Sequence, residues 1–138
     1  MSFVVDNSVA LAWCFEDEQT AGIMALLDRV VDAGAVAPQL WPIEALNGLL
    51  TAERRGRIDP SVRRRLASFL QQLPIEIDEE MARQSWTVTA RLAEQHRLTA
   101  YDATYLELAM RRALPLATND VALIAAAHAA GVDLLATA

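Results

Sequence analysis

Apolar and polar positions along this chain switch between two periods, and the switching predicts an α/β protein. Phe3, Val4 and Val5 form a continuous apolar run, a buried strand over residues 2–5 that ends at Asp6. Asn7 or Ser8 then caps a helix through Val9 and Trp13. A helical period over residues 18–31 puts Ile23, Leu26, Leu27 and Val30 on one face, with Gly34 as its stop. Residues 35–37 predict a second strand halted by Pro38, and residues 42–55 predict a helix closed by Gly56. Asp59 and Pro60 supply an N-cap and a first-turn proline for a helix over residues 61–72. Residues 74–78 alternate as a strand, and residues 79–97 predict one long helix with Met81, Val88 and Leu92 facing inward. Thr99 caps the next helix, and residues 114–117 predict another strand. Thr118, Asn119 and Asp120 cap a helix over 121–130, and residues 132–135 supply a last strand after Gly131. Strands separated by helices predict a short parallel sheet of four to five strands with helices on both faces. The expected architecture is a three-layer α/β/α domain spanning residues 1–138.

Asp102 breaks this pattern. Steps of 3, 4 and 7 from it reach Tyr105, Leu106 and Ala109, so its carboxylate lies on the apolar stripe of its helix. The plain alternative is an acid that stabilises the helix N-terminus by about 0.3–1 kcal/mol. Burying a lone carboxylate is costly without a partner or a metal, which directs attention to the other acids. Asp6 and Asp120 each stand just past a predicted strand end, where open α/β sheets place their ligands. Either could equally belong to its turn. Glu44, Asn47, Gly48 and Thr51 form a polar and small stripe on their helix. A mid-helix glycine costs about 1 kcal/mol relative to alanine, which predicts a close approach at Gly48, and Asn47 is placed to support Glu44.

Composition changes the picture in three places. The chain has 54% apolar residues, no apolar run of membrane-spanning length and no basic N-terminal region, which predicts a soluble cytoplasmic protein with no membrane partner. Cys14 is the single cysteine and is read as a small core residue; His96 and His128 are isolated, so neither a zinc site nor a nucleophile triad is supported. The net charge of −6 argues against a nucleic-acid partner, yet with four of the 18 acids assigned to a metal site, 14 remain against 12 cations. All 12 of those cations are arginine, and the absence of lysine excludes chemistries that require one. Arg54, Arg55, Arg57, Arg63, Arg64 and Arg65 crowd into the helix hairpin, either as a rim for an RNA backbone or as a solvated face paired with Glu53 and Asp59.

In a parallel sheet the strand ends at Asp6 and Asp120 and the helix starts at Glu44 and Asp102 can meet at one edge. Such a cluster repels itself unless hard divalent cations neutralise it, and an all-oxygen donor set selects Mg²⁺ or Mn²⁺. Ions held there activate water and stabilise a phosphodiester transition state.

The segments Val5-Asp6-Asn7-Ser8-Val9-Ala10-Leu11-Ala12-Trp13, Trp41-Pro42-Ile43-Glu44-Ala45-Leu46-Asn47, Leu98-Thr99-Ala100-Tyr101-Asp102-Ala103 and Ala117-Thr118-Asn119-Asp120 together resemble PIN-domain nucleases, in particular VapC-type toxins of toxin–antitoxin pairs. The resemblance covers nearly the whole chain, and the third segment is its most specific part. It implies a PIN-like α/β/α fold, a Mg²⁺- or Mn²⁺-dependent endoribonuclease, a homodimer and a cognate antitoxin that blocks the site. It also implies that Asp6, Glu44, Asp102 and Asp120 form the catalytic and metal-binding cluster. Asp6 and Asp102 are then the principal ligands, Glu44 a ligand or a base acting through water, and Asp120 a water-mediated or second-metal ligand. Ser8 and Thr118 match positions that help hold the metal shell. Asn7 departs from the family's small or hydroxyl residue. The apolar surplus predicts a groove for the antitoxin, lined by Trp13 or Trp41.

Three rivals are less consistent with the chain. An RNase H-like nuclease opens with an antiparallel meander, whereas helices follow the first strand here. Dehalogenase-like or receiver-like phosphotransfer domains use a lysine that is absent. A catalytically silent PIN-like module that binds RNA or an antitoxin does not need all four acids.

Overall fold

The computed structural model describes residues 2–138, and Met1 lies outside the described residues. Four strands, β1 (Val4–Val5), β2 (Ala35–Pro38), β3 (Ile75–Asp78) and β4 (Leu116–Ala117), form an all-parallel sheet in the order β3-β2-β1-β4. β1 and β4 are buried apolar pairs, as a strand covered on both faces requires. The expected strand at 132–135 is reduced to one parallel bridge between Leu134 and Leu116. Pro38 belongs to β2, where it pairs with Asp78 of β3 rather than ending the strand before it.

The helices are α1 (Asn7–Ala12), α2 (Ala21–Ala33), α3 (Trp41–Arg54), α4 (Pro60–Gln72), α5 (Met81–Gln84), α6 (Ala90–His96), α7 (Ala100–Arg112) and α8 (Val121–Ala129). α7 forms the middle of the molecule, packing on β1, β2 and β4, and every residue from Ala103 to Ala109 is buried. α1 crosses α3 at Gly48, where an added Cβ would lie 2.5 Å from Leu11 Cδ1; that is the close approach its position predicts.

Three expected boundaries move. Asp6 itself caps α1, accepting from the Val9 N–H, so neither Asn7 nor Ser8 is the cap. α2 begins at Ala21 because Thr20 accepts from the Ile23 N–H, and Glu16–Glu18 forms a separate 3-10 turn. The expected helix over 79–97 is interrupted by a π-helical turn, Ser85–Thr89, between α5 and α6. There Ser85 Oγ donates to the Met81 carbonyl and Thr87 Oγ1 to the Gln84 carbonyl, competing with the backbone beside the β-branched Thr87, Val88 and Thr89. The wider turn shifts the face, leaving Leu92 buried but Met81 and Val88 only half-buried. No described helix is long and apolar enough to cross a membrane.

Candidate active site

Strand order fixes where the acids meet. From β1 the chain steps outward to β2 and β3, then returns through α7 to place β4 on the opposite side of β1. Connections leave in opposite directions from β1 and β4, and a crevice opens beyond the carboxyl ends of two such strands. Asp6 follows β1 directly, and Asp120 comes shortly after β4. Helices that cross back along a parallel sheet start at that same edge, so Asp6 caps α1, Glu44 occupies the first turn of α3, Asp102 the first turn of α7, and Asp120 caps α8. The positive ends of these helices partly offset the negative charge.

The two strand-end turns are bound to each other through hydroxyls. Thr118 Oγ1 donates to Asp6 Oδ2 at 2.5 Å and accepts from the Asp120 N–H at 2.9 Å. Ser8 Oγ donates to Asp6 Oδ1 at 2.6 Å and accepts from the Asn119 N–H at 2.8 Å. Asp6 is 4% exposed, and its carboxylate accepts from Ser8, Thr118 and Val9. Since a carboxylate has about four lone-pair sites, capacity remains for one more partner.

Glu44 is half-buried, and its Oε1 accepts from the Tyr105 hydroxyl at 2.6 Å. Asn47, expected to support Glu44, is exposed; the hydrogen bond comes instead from Tyr105 on α7. The signal was available, because a tyrosine three residues after Asp102 on a buried stripe needs a partner for its hydroxyl. Burial and the Glu44 carboxylate push the Tyr105 phenol far above its ordinary range, so it remains a donor. Where the acids hold a divalent ion, Tyr105→Phe is expected to lower its affinity about 10- to 100-fold while preserving the far-ultraviolet circular dichroism, as loss of a partner that orients a metal ligand does. Unchanged divalent-ion affinity would remove Tyr105 from the site.

Electrostatics tie the four acids together. Asp6 is raised above its ordinary pKa by burial, against the pull of the Ser8, Thr118 and Val9 hydrogen bonds, and the Asp102 charge raises it further. Glu44 is raised by burial and by Asp102 and Asp6, while its Tyr105 bond acts the other way. Asp102 is raised by burial and by Asp120, opposed by its bond with Thr99. None of the ion pairs among the described residues reaches any of the four. Unpaired, mutually repelling oxygen donors are the chemistry that a hard divalent cation satisfies. Among the described residues, however, no three His, Cys, Asp or Glu side chains are grouped tightly enough to hold an ion by themselves. Mg²⁺ commonly retains several waters and takes only one or two carboxylates directly, a manner of binding that such spacing accommodates.

Other expected positions lie away from this group. Arg54 follows Glu44 by ten residues on α3, about 15 Å along the axis, so the arginines stand apart from the acids. Arg57 pairs with Asp17 and Glu18 and lies 4.3 Å over the Phe15 ring, while Arg63 pairs with Glu53 at 2.7 Å. Arg54, Arg55, Arg64 and Arg65 are exposed. Trp13, 4% exposed, forms no groove wall, whereas Trp41, though only 5% exposed, borders one. Trp13 donates to the Ile23 carbonyl inside the core, and Trp41 lies at a cleft of about 340 Å³ between α3, α4 and β3. Cys14 is half-buried, and burial and the Glu18 charge push its thiol up to about 12, which disfavours the reactive thiolate.

The family model described as PIN domain matches residues 3–137. No curated protein matches the chain. Among solved structures, PAE2754 from Pyrobaculum aerophilum is 25% identical with a TM-score of 0.69, covering 91% of this chain and 84% of that one. FitAcB from Neisseria gonorrhoeae is similar in fold at 17% identity and TM-score 0.69, covering 99% of this chain and 98% of its own. FitAB bound to an IR36 DNA fragment is likewise similar in fold at 16% identity and TM-score 0.68, with 98% and 94% covered.

Proposed function

Because the chain belongs to the PIN-domain family, we propose that it is a VapC-type toxin, an endoribonuclease that uses Mg²⁺ or Mn²⁺ and is silenced by a cognate antitoxin. The observation that carries this reading is the set of four carboxylates, each at the start of a helix and coupled across one sheet edge, which none of the ion pairs among the described residues neutralises. PIN domains are generally nucleases. A divalent ion bound there supplies charge neutralisation at a scissile phosphate and a water of lowered pKa.

The chain's own residues hold the site ready for that chemistry. Asp6 and Asp102 offer ligand oxygens, with Asp6 fixed by Ser8 and Thr118 so that little reorganisation is needed on binding. Glu44, oriented by Tyr105, acts as a ligand or takes a proton from water, and Asp120 contributes through water. In this reading the protein is cytoplasmic and homodimeric, and the exposed arginines of the hairpin form a rim for the RNA backbone away from the acids.

Cleavage of total cellular RNA by the purified, antitoxin-free protein with Mg²⁺ or Mn²⁺ tests the proposal. Discrete fragments are expected, lost with EDTA and in Asp102→Asn, whereas a DNA substrate remains whole. The open spacing of the acids favours one alternative, a silent module that binds RNA or an antitoxin without cutting. Intact RNA after incubation with folded, metal-supplied protein would overturn the nuclease and leave that module.

A further inference from the structure

The acids of the candidate site are bordered by large apolar side chains that face water. Ile43 immediately precedes Glu44 and is 70% exposed, Tyr101 precedes Asp102 and is 64% exposed, and Val121 follows Asp120 and is 81% exposed. Each lies in the first turn of α3, α7 or α8, the helix starts that bring the acids together. Core packing does not explain them, and Tyr101 has no hydrogen bond or ring contact among the described residues. A first turn ordinarily presents polar residues to solvent, so three exposed apolar neighbours around one charged site require a different explanation.

We propose that Tyr101 is a stacking platform for an unpaired nucleobase next to the scissile phosphate, with Ile43 and Val121 as apolar walls beside it. The inference rests on the reading of the site as a phosphodiester site. Phosphates engage the charged centre while bases must project away from it, and an aromatic ring beside that centre meets the face of an unstacked base. In a duplex those faces are covered by neighbouring bases, so the platform selects single-stranded RNA. Stacking needs the ring and not the hydroxyl, which separates this role from a hydrogen-bonding one.

Fluorescence anisotropy with a labelled, unstructured RNA carrying phosphorothioate linkages, in Mg²⁺, tests the platform on wild type, Tyr101→Ala and Tyr101→Phe. The alanine variant is expected to bind roughly 5- to 150-fold more weakly, the usual cost of one lost base stack, with phenylalanine within about twofold of wild type. A duplex of the same sequence is expected to compete poorly. Equal binding by wild type and Tyr101→Ala overturns the platform, as does equal loss in Ala and Phe or equal competition by duplex. The exposed ring leaves the fold intact in either variant, which circular dichroism verifies. A wild type that binds through Tyr101 yet leaves native RNA uncut supports the platform and removes the nuclease. One that cuts while Tyr101→Ala binds normally keeps the nuclease and removes the platform. A wild type that binds no RNA overturns both and leaves the apolar rim to a protein partner.

Discussion

Asp6→Asn is expected to lower RNA cleavage by about 1,000-fold or more while the protein stays folded. In the proposed nuclease Asp6 is a ligand of the divalent ion, and losing such a ligand removes several kcal/mol of transition-state stabilisation, which corresponds to that factor. The fold survives because the amide is nearly the same shape as the carboxylate: its oxygen can still accept from Ser8 and the Val9 N–H, and its NH₂ can donate to the Thr118 hydroxyl. Full activity in the variant would refute the assignment of Asp6.

Stability supplies an independent check on the same residue. Asp6, Glu44 and Asp102 all have folded-state pKa values above their ordinary ones, for burial and mutual repulsion. A carboxyl of this kind holds its proton longer when folded. Its contribution to stability therefore falls as pH rises from the ordinary carboxylate value of about 4 to the raised folded value, and the penalty is constant above that. At neutral pH Asp6→Asn is thus expected to be at least as stable as wild type, with a weaker decline across that window. Mg²⁺ is expected to raise the melting temperature of wild type by mass action and to leave the variant nearly unmoved. An equal Mg²⁺ shift in both proteins would place the ion elsewhere.

Arg111→Ala is expected to be strongly destabilising, costing about 3–5 kcal/mol in urea denaturation. Arg111 meets Asp78 with two bonds, of 2.8 and 3.1 Å, and Glu107 with two more, of 2.8 and 3.2 Å. It thereby ties the end of edge strand β3 to the central helix α7. Glu107 is buried and has Arg111 as its ion-pair partner, so the alanine variant strands a carboxylate in the interior. Asp78 is less affected, since Arg112 also reaches it at 3.4 Å. For a domain of this size the loss corresponds to a melting-temperature drop on the order of 10–20 °C. The double variant Glu107→Leu with Arg111→Met is expected to recover much of it, because replacing both charges by apolar groups removes the unpaired one. A single variant within about 1 kcal/mol of wild type would refute this account.

The acid limb carries the opposite sign from the candidate-site carboxyls. Asp78 is held below its ordinary pKa, chiefly by the Arg111 hydrogen bonds, with burial opposing them. Its stabilisation is complete above the ordinary aspartate value of about 4 and is lost as pH falls through the lower folded value. Arg111→Ala is therefore expected to flatten stability below about pH 4, where wild type loses it.

The local rules of the chain determined a large share of this protein. Apolar runs of strand length and helical periods gave the alternation that dictates a parallel sheet, and the caps at Thr99, Asp59 and Asp120 are read from side chains that reach only three residues along the chain. The inward stripe beneath Asp102 and the tight crossing at Gly48 were likewise legible, because an acid on an apolar stripe, here half-buried, or a mid-helix glycine is costly without a reason. Tertiary structure decided the rest. Whether Asp6 stands beside Thr118 depends on β4 returning to pair with β1, a choice of strand order that no local pattern encodes. Glu44 finds Tyr105 across 61 positions, and Arg111 finds Asp78 across 33, through helices whose packing sets which polar atoms meet. The Trp13 indole was sealed inside for the same reason: periodicity identifies an apolar face, but the neighbour that covers it comes only with the fold.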